Sequence, residues 1–418
     1  MKILFLAHRL PYPPDTGDKI RSYQVLKHLA SQHEVHLACL LDNRCDELDV
    51  AELRQLVPNV IYAPVSRFKS YWRMLRALLT DKPLTVSHFD SKTLRRQIER
   101  LVAQVDFDAI YVYSSTMAEY VLDYKTPLRV IDFCDLDSAK FKQYAEVKRP
   151  PLSWLYRLES RRLAGYEKKV AAHFDHVFFI GPEEKRLFAA NGFTRKIELF
   201  SNGVDFSRYY GFDLPAHQPG SPGSRPYLLF TGIMDYPPNI DAVCFFAREV
   251  FPKLKAIMPK LQFYIMGGNP SRKIRQFHNA QTGIFVTGYV YDLRPYIKSA
   301  QVFVAPMRIA RGMQTKILEA MACGVPVITS STAARGIGAR AGREVLVADT
   351  APEYVRKTLV LLLNKKCRDH LRRQAFRFLQ QNFNWEQNLR LLDMLLEKNH
   401  YNFQAELEDS NDFKENAV

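Results

Sequence analysis

The feature that most constrains this chain is an alternation of short apolar runs with longer amphipathic segments, carried through two separate series. In the first half the runs are "KILFLA", "EVHLACL", "AIYVYS", "RVIDF" and "HVFFI"; in the second they are "YLLFTG", "QFYIMG", "IFVTG", "VFVAP", "PVITS" and "EVLVA". Near-continuous apolar runs suit strands buried on both faces, and parallel strands need crossovers long enough to hold a helix. Each half therefore predicts a doubly wound parallel sheet of its own, an α/β architecture. Two domains also agree with a length of 418 residues, beyond the roughly 250–300 that one core serves. Ligands of such sheets bind past the C-terminal strand ends, so functional groups are expected in the strand-to-helix loops.

The boundaries follow from where periodicity stops. Residues 1–208 form the N-terminal domain, and 209–226, rich in Pro, Gly and Ser, form a linker ahead of a C-terminal domain over 227–385. Residues 386–400 read as a last helix, and 401–418 as a polar, acidic tail expected to fray. No internal repeat or low-complexity tract is apparent.

Six scattered cysteines with no CxxC pair signal neither a zinc cluster nor a disulfide framework, which fits a reduced, cytoplasmic chain. No stretch reaches the roughly 18 apolar residues of a membrane span, and "MKILFLAHRL" is interrupted too early for a signal peptide. Net charge is +15 and falls unevenly: residues 206–400 hold 27 Lys and Arg against 13 Asp and Glu. Such a field favours an anionic partner, whether a phosphorylated small molecule, a nucleic acid or an acidic lipid surface.

"RGMQTKILEAMACGVPVITS", residues 311–330, follows the "VFVAP" strand. A cation is disfavoured at a helix N-terminus, where the backbone dipole already places about half a positive charge. Lys316 in the first turn therefore points to an anion held by the helix end and the ammonium together. Lys316 and Glu319 share a face with Thr315 beside them, so one face offers a cation, a hydroxyl and a carboxylate. A carboxylate beside a phosphate site suits the hydroxyls of a ribose, and the combination reads as a nucleoside diphosphate. The same spacing also suits a solvated ion pair on a helix whose Ile317, Leu318 and Met321 pack on the sheet.

"GMQTKILEAMACGVPVITS" closely resembles the signature segment of the group 1 glycosyltransferases, retaining sugar transferases of the GT-B architecture. "LFSNGVDFSRY", "FTGIMDYPPNIDAV" and "FVTGYVYDLRPYIKSAQVFVAP" fall in the order expected of that family. "DFCDLDSAKFKQYAE" and "YRLESRRLAGYEKKVAAHFDHVFFI" are similar to a subgroup found beside exosortase systems in exopolysaccharide-producing bacteria. The resemblance implies two Rossmann-like domains facing a central cleft, with the last helix crossing back to the first domain.

Carried over by residue, the resemblance makes Glu319 the ribose-binding carboxylate. Gly288, Tyr289 and Val290 meet the base, while Gly232, Gly312, Met313, Gln314 and Thr315 approach the donor sugar and diphosphate. Gly17, in "HRLPYPPDTGDKIRSYQ", corresponds to the glycine that faces the diphosphate from the first domain; a plain turn glycine fits the same residues. Two departures stand out. Arg311 occupies the place of the family's first Glu, and "GIMDYPPN" carries neither the Arg nor the Lys that often clamps the diphosphate. The missing positive charge is expected to be relocated to Arg308, Arg311 and Lys316.

"IDFCDLD" places Asp132, Asp135 and Asp137 past a buried strand. Asp135-Leu136-Asp137 spells a DxD, a weak match to metal-dependent transferases of another fold, so no metal site is expected. Asp135 is instead expected on the acceptor side, with helix capping as the competing role. Lys316, Asp135 and Arg311 are the expected catalytic residues. The course implied is front-face displacement, in which the departing phosphate oxygen takes the acceptor proton and catalysis lies in positioning and charge stabilisation.

The donor is expected to be a UDP- or GDP-linked sugar with no separate cofactor, and the acceptor a lipid-linked or other saccharide of the envelope or exopolysaccharide. "RFKSYWRMLRALLT" puts Phe68, Tyr71, Trp72, Leu75 and Leu79 on one helix face and Arg67, Lys69, Arg73 and Arg76 elsewhere, which suits adsorption to anionic lipid at the inner face of the membrane. A helix docked on its own domain with a basic outer face fits equally. Glu159 and Glu167, among several Arg and Lys, read as a solvated helix face. A nucleotide-sugar hydrolase or epimerase on the same fold is the alternative that Arg311 suggests. Nucleic acid is not expected as partner, because the aromatics lie mainly in strand patterns rather than among the basic residues. No GxGxxG follows the first strand of either half, which disfavours a nicotinamide dehydrogenase.

Overall fold

A computed structural model describes residues 1–14, 16–41, 46–126, 128–190, 192–193, 197–209, 226–310 and 313–398. It divides into two compact units: residues 1–180, 184–200 and the chain from 386 form the first, and 181–183 with 201–385 form the second.

The first unit holds β1 (Lys2–Ala7), β2 (Glu34–Leu41), β3 (Asn59–Pro64), β4 (Ala109–Tyr113), β5 (Leu128–Cys134), β6 (His176–Phe179) and β7 (Ile197–Leu199). They make one parallel sheet in the order β3-β2-β1-β4-β5-β6-β7. The second unit holds β8 (Tyr227–Thr231), β9 (Gln262–Met266), β10 (Ile284–Gly288), β11 (Val302–Ala305), β12 (Val327–Thr329) and β13 (Leu346–Val347), in the order β10-β9-β8-β11-β12-β13. This sheet is parallel throughout as well. Every expected apolar run forms a strand. β3 and β7, which were not expected, are the two edges of the first sheet, where one strand neighbour is missing and a mixed composition suffices.

In each order the direction of winding reverses once, between β1 and β4 and between β8 and β11. The loops leaving those strands diverge there, and the gap between them is where sheets of this kind take ligands.

The boundary expected after residue 208 falls at 200 instead. Residues 201–209 pack on the second unit: Val204 N donates to Phe383 O at 2.7 Å, Gly203 lies against the Trp385 ring, and Phe206 meets Phe376 at 5.9 Å. The linker's interior and the 401–418 tail lie outside the described residues. The helix over 385–398 buries Leu389, Leu392 and Leu396, and its Asp393 accepts from His28 Nε2 of the first unit at 2.7 Å.

Glu159 and Glu167 are not solvated but buried. Glu159 accepts from Leu84 N (2.7 Å), Thr85 N (2.8 Å) and Thr85 Oγ1 (2.7 Å), and Glu167 from Ser138 N (2.9 Å) and Ser138 Oγ (2.5 Å). Each carboxylate caps a helix start whose N–H groups have no intrahelical acceptor. Burial pushes the Glu167 pKa up to about 8 despite the Ser138 bonds. Among the described residues no helix is long and apolar enough to cross a membrane.

Candidate active site

The second unit brings most of the expected residues to the C-terminal ends of β8, β9, β10 and β11. β8 is buried along its length and stops at Gly232, whose φ of +153° is open to glycine and strained for other residues. Gly267, following β9, is pressed against it: a Cβ there would lie 1.8 Å from Gly232 O. A Cβ on Gly232 itself would lie 2.7 Å from Asn239 Nδ2 and 2.9 Å from Lys316 Nζ. The strand end is thus stripped of side chains where the Lys316 ammonium arrives.

Helix Thr315–Ala322 carries that lysine. It starts after Gln314, which supplies no side-chain cap bond, and buries Ile317, Leu318 and Met321 against the sheet. It ends in a Schellman arrangement at Gly324 (φ +69°), with Val325 N donating to Ala320 O and Gly324 N to Met321 O, both at 2.9 Å. Packing at one end and a glycine stop at the other fix the helix with its first turn at the strand ends.

Lys316 Nζ donates to Asn239 Oδ1 at 2.5 Å and sits 4.5 Å above the centre of the Phe230 ring. Asn239 is oriented by its own Nδ2, which donates to Ile233 O at 2.8 Å, so its oxygen is the end turned to the lysine. Neither contact neutralises the charge. Among the described residues no carboxylate lies within ion-pair distance of Nζ, and burial pulls the Lys316 pKa down to about 7, with Glu319 the only charge opposing the shift. A cation held this way is short of one anion.

One turn on, Glu319 is half-buried and its Oε1 accepts from Tyr209 Oη at 3.1 Å. Gly288 (φ +75°) ends β10 at a register shift, and its carbonyl accepts from Gly267 N at 3.0 Å. Tyr289 is then exposed and Val290 half-buried. Met313 and Gln314 are half-buried ahead of the helix, and Thr315 N donates to Met313 O at 3.2 Å. Arg311 and Gly312 lie outside the described residues.

Arg308 departs from expectation. Its Nε and Nη2 make a bidentate pair with Asp241 at 2.9 and 2.5 Å, and its guanidinium lies 4.9 Å from the Phe245 ring centre. The charge expected to be relocated here is already matched by a carboxylate, so of the two described cations of this group, Arg308 and Lys316, it is Lys316 that has none.

In the first unit the switch between β1 and β4 gathers a second group. His8 follows β1, stacks on Tyr113 at 5.8 Å and meets Phe89 edge-on at 5.5 Å; its Nδ1 is buried without a partner. Gly17 opens helix Gly17–Ala30 and is exposed, and Asp18 beside it faces His8 Nε2 (3.6 Å) and Arg9 Nη1 (3.4 Å). Burial alone would raise the Asp18 pKa, but the His8 and Arg9 contacts hold it well below the usual carboxylate range.

The three aspartates past β5 separate in role. Asp132 is fully buried and structural, bound by Arg21 Nε and Nη2 (2.7 and 3.0 Å) and by Tyr111 Oη (2.8 Å). Asp137 pairs with Lys140 in the first turn of helix Asp137–Val147. Asp135 is half-buried just after Cys134, which takes φ +58°, and burial raises its pKa while Lys140 opposes. It caps no helix.

Sequence reasoning missed Asn239, Phe230, Tyr209 and Gly267. Asn239 could have been found as the polar residue immediately after the Pro pair that opens its helix; Tyr209 left no signal, because its partner lies 110 residues away.

Two parallel doubly wound units, with sheets of seven and six strands, are the architecture of the GT-B class of sugar-transferring enzymes. The chain belongs to the group 1 glycosyltransferases: residues 225–364 match the model of glycosyl transferases group 1, and residues 17–203 match a glycosyl transferase 4-like domain. An uncharacterised 44.6 kDa protein of the Klebsiella pneumoniae cps region is 22% identical over 396 residues, covering 91% of this chain and 96% of that protein. Among solved structures, the fold is similar to a sucrose-phosphate synthase from Thermosynechococcus elongatus (TM-score 0.71, 16% identity, 95% of this chain and 98% of that one). It is also similar to Anabaena HepE in complex with UDP (TM-score 0.66, 13% identity, 95% and 100%).

Proposed function

We propose that this glycosyltransferase moves a sugar from a nucleoside diphosphate donor to a saccharide acceptor of the envelope or exopolysaccharide, at the inner face of the membrane, with retention of configuration and without a metal. The observation that carries the donor half is the Lys316 ammonium, seated at the bare end of β8 with a neutral amide and an aromatic face for company. The diphosphate supplies the missing anion. Glu319, steadied by Tyr209, accepts from the ribose hydroxyls, and Gly288 to Val290 pass beside the base. Support for a UDP-linked donor comes from HepE, solved with UDP and with UDP-glucose; a GDP-linked donor fits the same contacts. Support for the acceptor class comes from the cps-region relative and from the resemblance to the exosortase-associated subgroup.

In the proposed step the acceptor oxygen bonds to the anomeric carbon while the bond from that carbon to the diphosphate oxygen breaks. The leaving oxygen takes the acceptor proton, and the nucleoside diphosphate departs. Lys316 and the N–H groups of its helix stabilise the charge that grows on the diphosphate. Asp135 accepts a hydrogen bond from the acceptor.

The test is product analysis with UDP-, GDP- and ADP-sugars, with and without a lipid-linked saccharide, in the presence of EDTA. A new glycosidic bond with the donor's anomeric configuration is expected, undiminished by the chelator. Free sugar formed equally well without acceptor would favour the hydrolase reading that Arg311 suggests, and loss of activity in EDTA would overturn the metal-free course.

A further inference from the structure

Helix Arg67–Ala77 is inside out. Ser70 is buried and donates from Oγ to His88 O at 2.6 Å, and Arg73 donates to Ser87 O and His88 O, both at 3.0 Å. The helix therefore docks through polar groups, while Phe68 (73% exposed), Tyr71, Trp72 (55%) and Leu75 face solvent, followed by Leu79 at 90%. This corrects the reading of a helix docked by its apolar face. Exposing so many large apolar side chains together marks a contact surface.

A second cluster lies at the tip of the hairpin formed by helices Asp137–Val147 and Leu152–Ala172, where Val147, Leu152 and Trp154 (65%) are exposed. The two clusters are neighbours. Arg162 Nη1 donates to Ala77 O at 2.9 Å and Nη2 to Leu78 O at 3.3 Å, which ties the long helix to the end of the first cluster. Trp154 is eight residues before Arg162, about 12 Å along that helix and within about a quarter turn around it.

Charge selects the occupant. Residues 66–80 and 147–158 contain no acidic side chain, and Arg76, Lys148, Arg149, Arg157 and Arg161 are exposed around the apolar groups. Beside Trp72 a cavity of about 480 Å³ is lined by Phe68, Arg76, Phe89, Asp90 and Lys92. Asp90 is already paired with Lys82 and Arg95 at 3.4 Å each, which leaves Arg76 and Lys92 to meet a phosphate headgroup. Two copies of one basic face repel, which argues against self-association. Apolar anchors ringed by cations match the boundary between acyl chains and anionic headgroups.

We infer that the two clusters form one seat for an anionic lipid bilayer, with Trp72, Leu79 and Trp154 entering the headgroup boundary. This deepens the membrane-side location proposed above and rests on it, but lipid binding is read without turnover, so the two can fail separately.

The experiment is flotation of the full chain with phosphatidylglycerol or phosphatidylcholine vesicles. Flotation with phosphatidylglycerol alone is expected, weakening as salt rises. Leu79→Glu and Trp154→Glu should each lower partitioning about tenfold, and Arg149→Gln about fivefold. Thermal unfolding of each variant, with and without UDP, should match the parent and so separates a lost seat from a lost fold. Absence of flotation, equal flotation with both lipids, or flotation indifferent to both Glu variants would overturn the inference. So would a parent dimer that Trp154→Glu splits, because the face would then belong to a second copy.

Discussion

Each unit brings a buried or half-buried cation to the region where its sheet changes winding direction, and the two cations are treated in opposite ways. Arg21 reaches Asp132 through two hydrogen bonds, with Tyr111 donating to the same carboxylate and the Phe200 ring 4.6 Å from the guanidinium. Burial would lower its pKa, yet Asp132 holds it above the usual arginine range. Lys316 has an amide oxygen and a ring, and its pKa falls. A cation that carries its own carboxylate is finished as structure; on the function proposed above, the one that lacks it takes a ligand that brings the charge.

The comparison breaks most visibly at the paired site. Asp132→Ala leaves Arg21 buried and uncompensated, and should cost about 3–5 kcal/mol in urea unfolding. Arg21→Met with Asp132→Leu should recover most of that. A drop below about 1 kcal/mol for the single change would mean that the pair is not what secures this region.

Next in size is a pH effect with two opposite signs. In the ligand-free protein Lys316 titrates at about 7 against 10.5 for an ordinary lysine. Between those values the unfolded chain binds the extra proton, so this group makes ligand-free stability rise with pH across that window and leaves it level below. A bound diphosphate favours the charged lysine, so nucleotide affinity should fall, by at most about tenfold per pH unit, as pH climbs above 7. Unfolding curves and calorimetric titrations over that range read the two slopes, and Lys316→Met should flatten both.

Tyr209→Phe removes one hydrogen bond to Glu319 and should weaken nucleotide binding by about 0.5–1.5 kcal/mol, several-fold in a titration. Arg308→Gln should matter least. Its guanidinium is half exposed and already paired with Asp241, so stability should change by less than about 1 kcal/mol and nucleotide affinity should stay. A large loss of affinity in that variant would show that the arginine leaves Asp241 for the donor.

The fold was legible because strands buried on both faces must be written as apolar runs, and those runs stand out whatever the rest of the sequence does. β3 and β7 escaped because edge strands carry no such demand: "NVIYAP" and "IEL" look like many loops. Of the site, Lys316 could be read because it violates a local rule, a cation placed at the positive end of a helix dipole. Its supports, Asn239 and Phe230, break no rule where they stand and become a site only through pairing of distant strands. The partner of Arg308 was hidden for the same reason, since a basic residue in a strand-to-helix loop does not disclose the carboxylate waiting 67 positions earlier. Glu159 and Glu167 were misread because a helix stripe rich in Arg and Lys looks solvated until two other helices begin on it.

The central claim is that Lys316 is held short of an anion that the donor diphosphate supplies. Calorimetric titration of UDP and GDP into the parent, Lys316→Met and Arg308→Gln proteins at pH 6.5, a value just below about 7, tests it directly. The account predicts that Lys316→Met loses about 10–100-fold in affinity for the better nucleotide, the worth of a hydrogen bond to a charged group, with unfolding stability kept or raised. Parent-like affinity in Lys316→Met would contradict it.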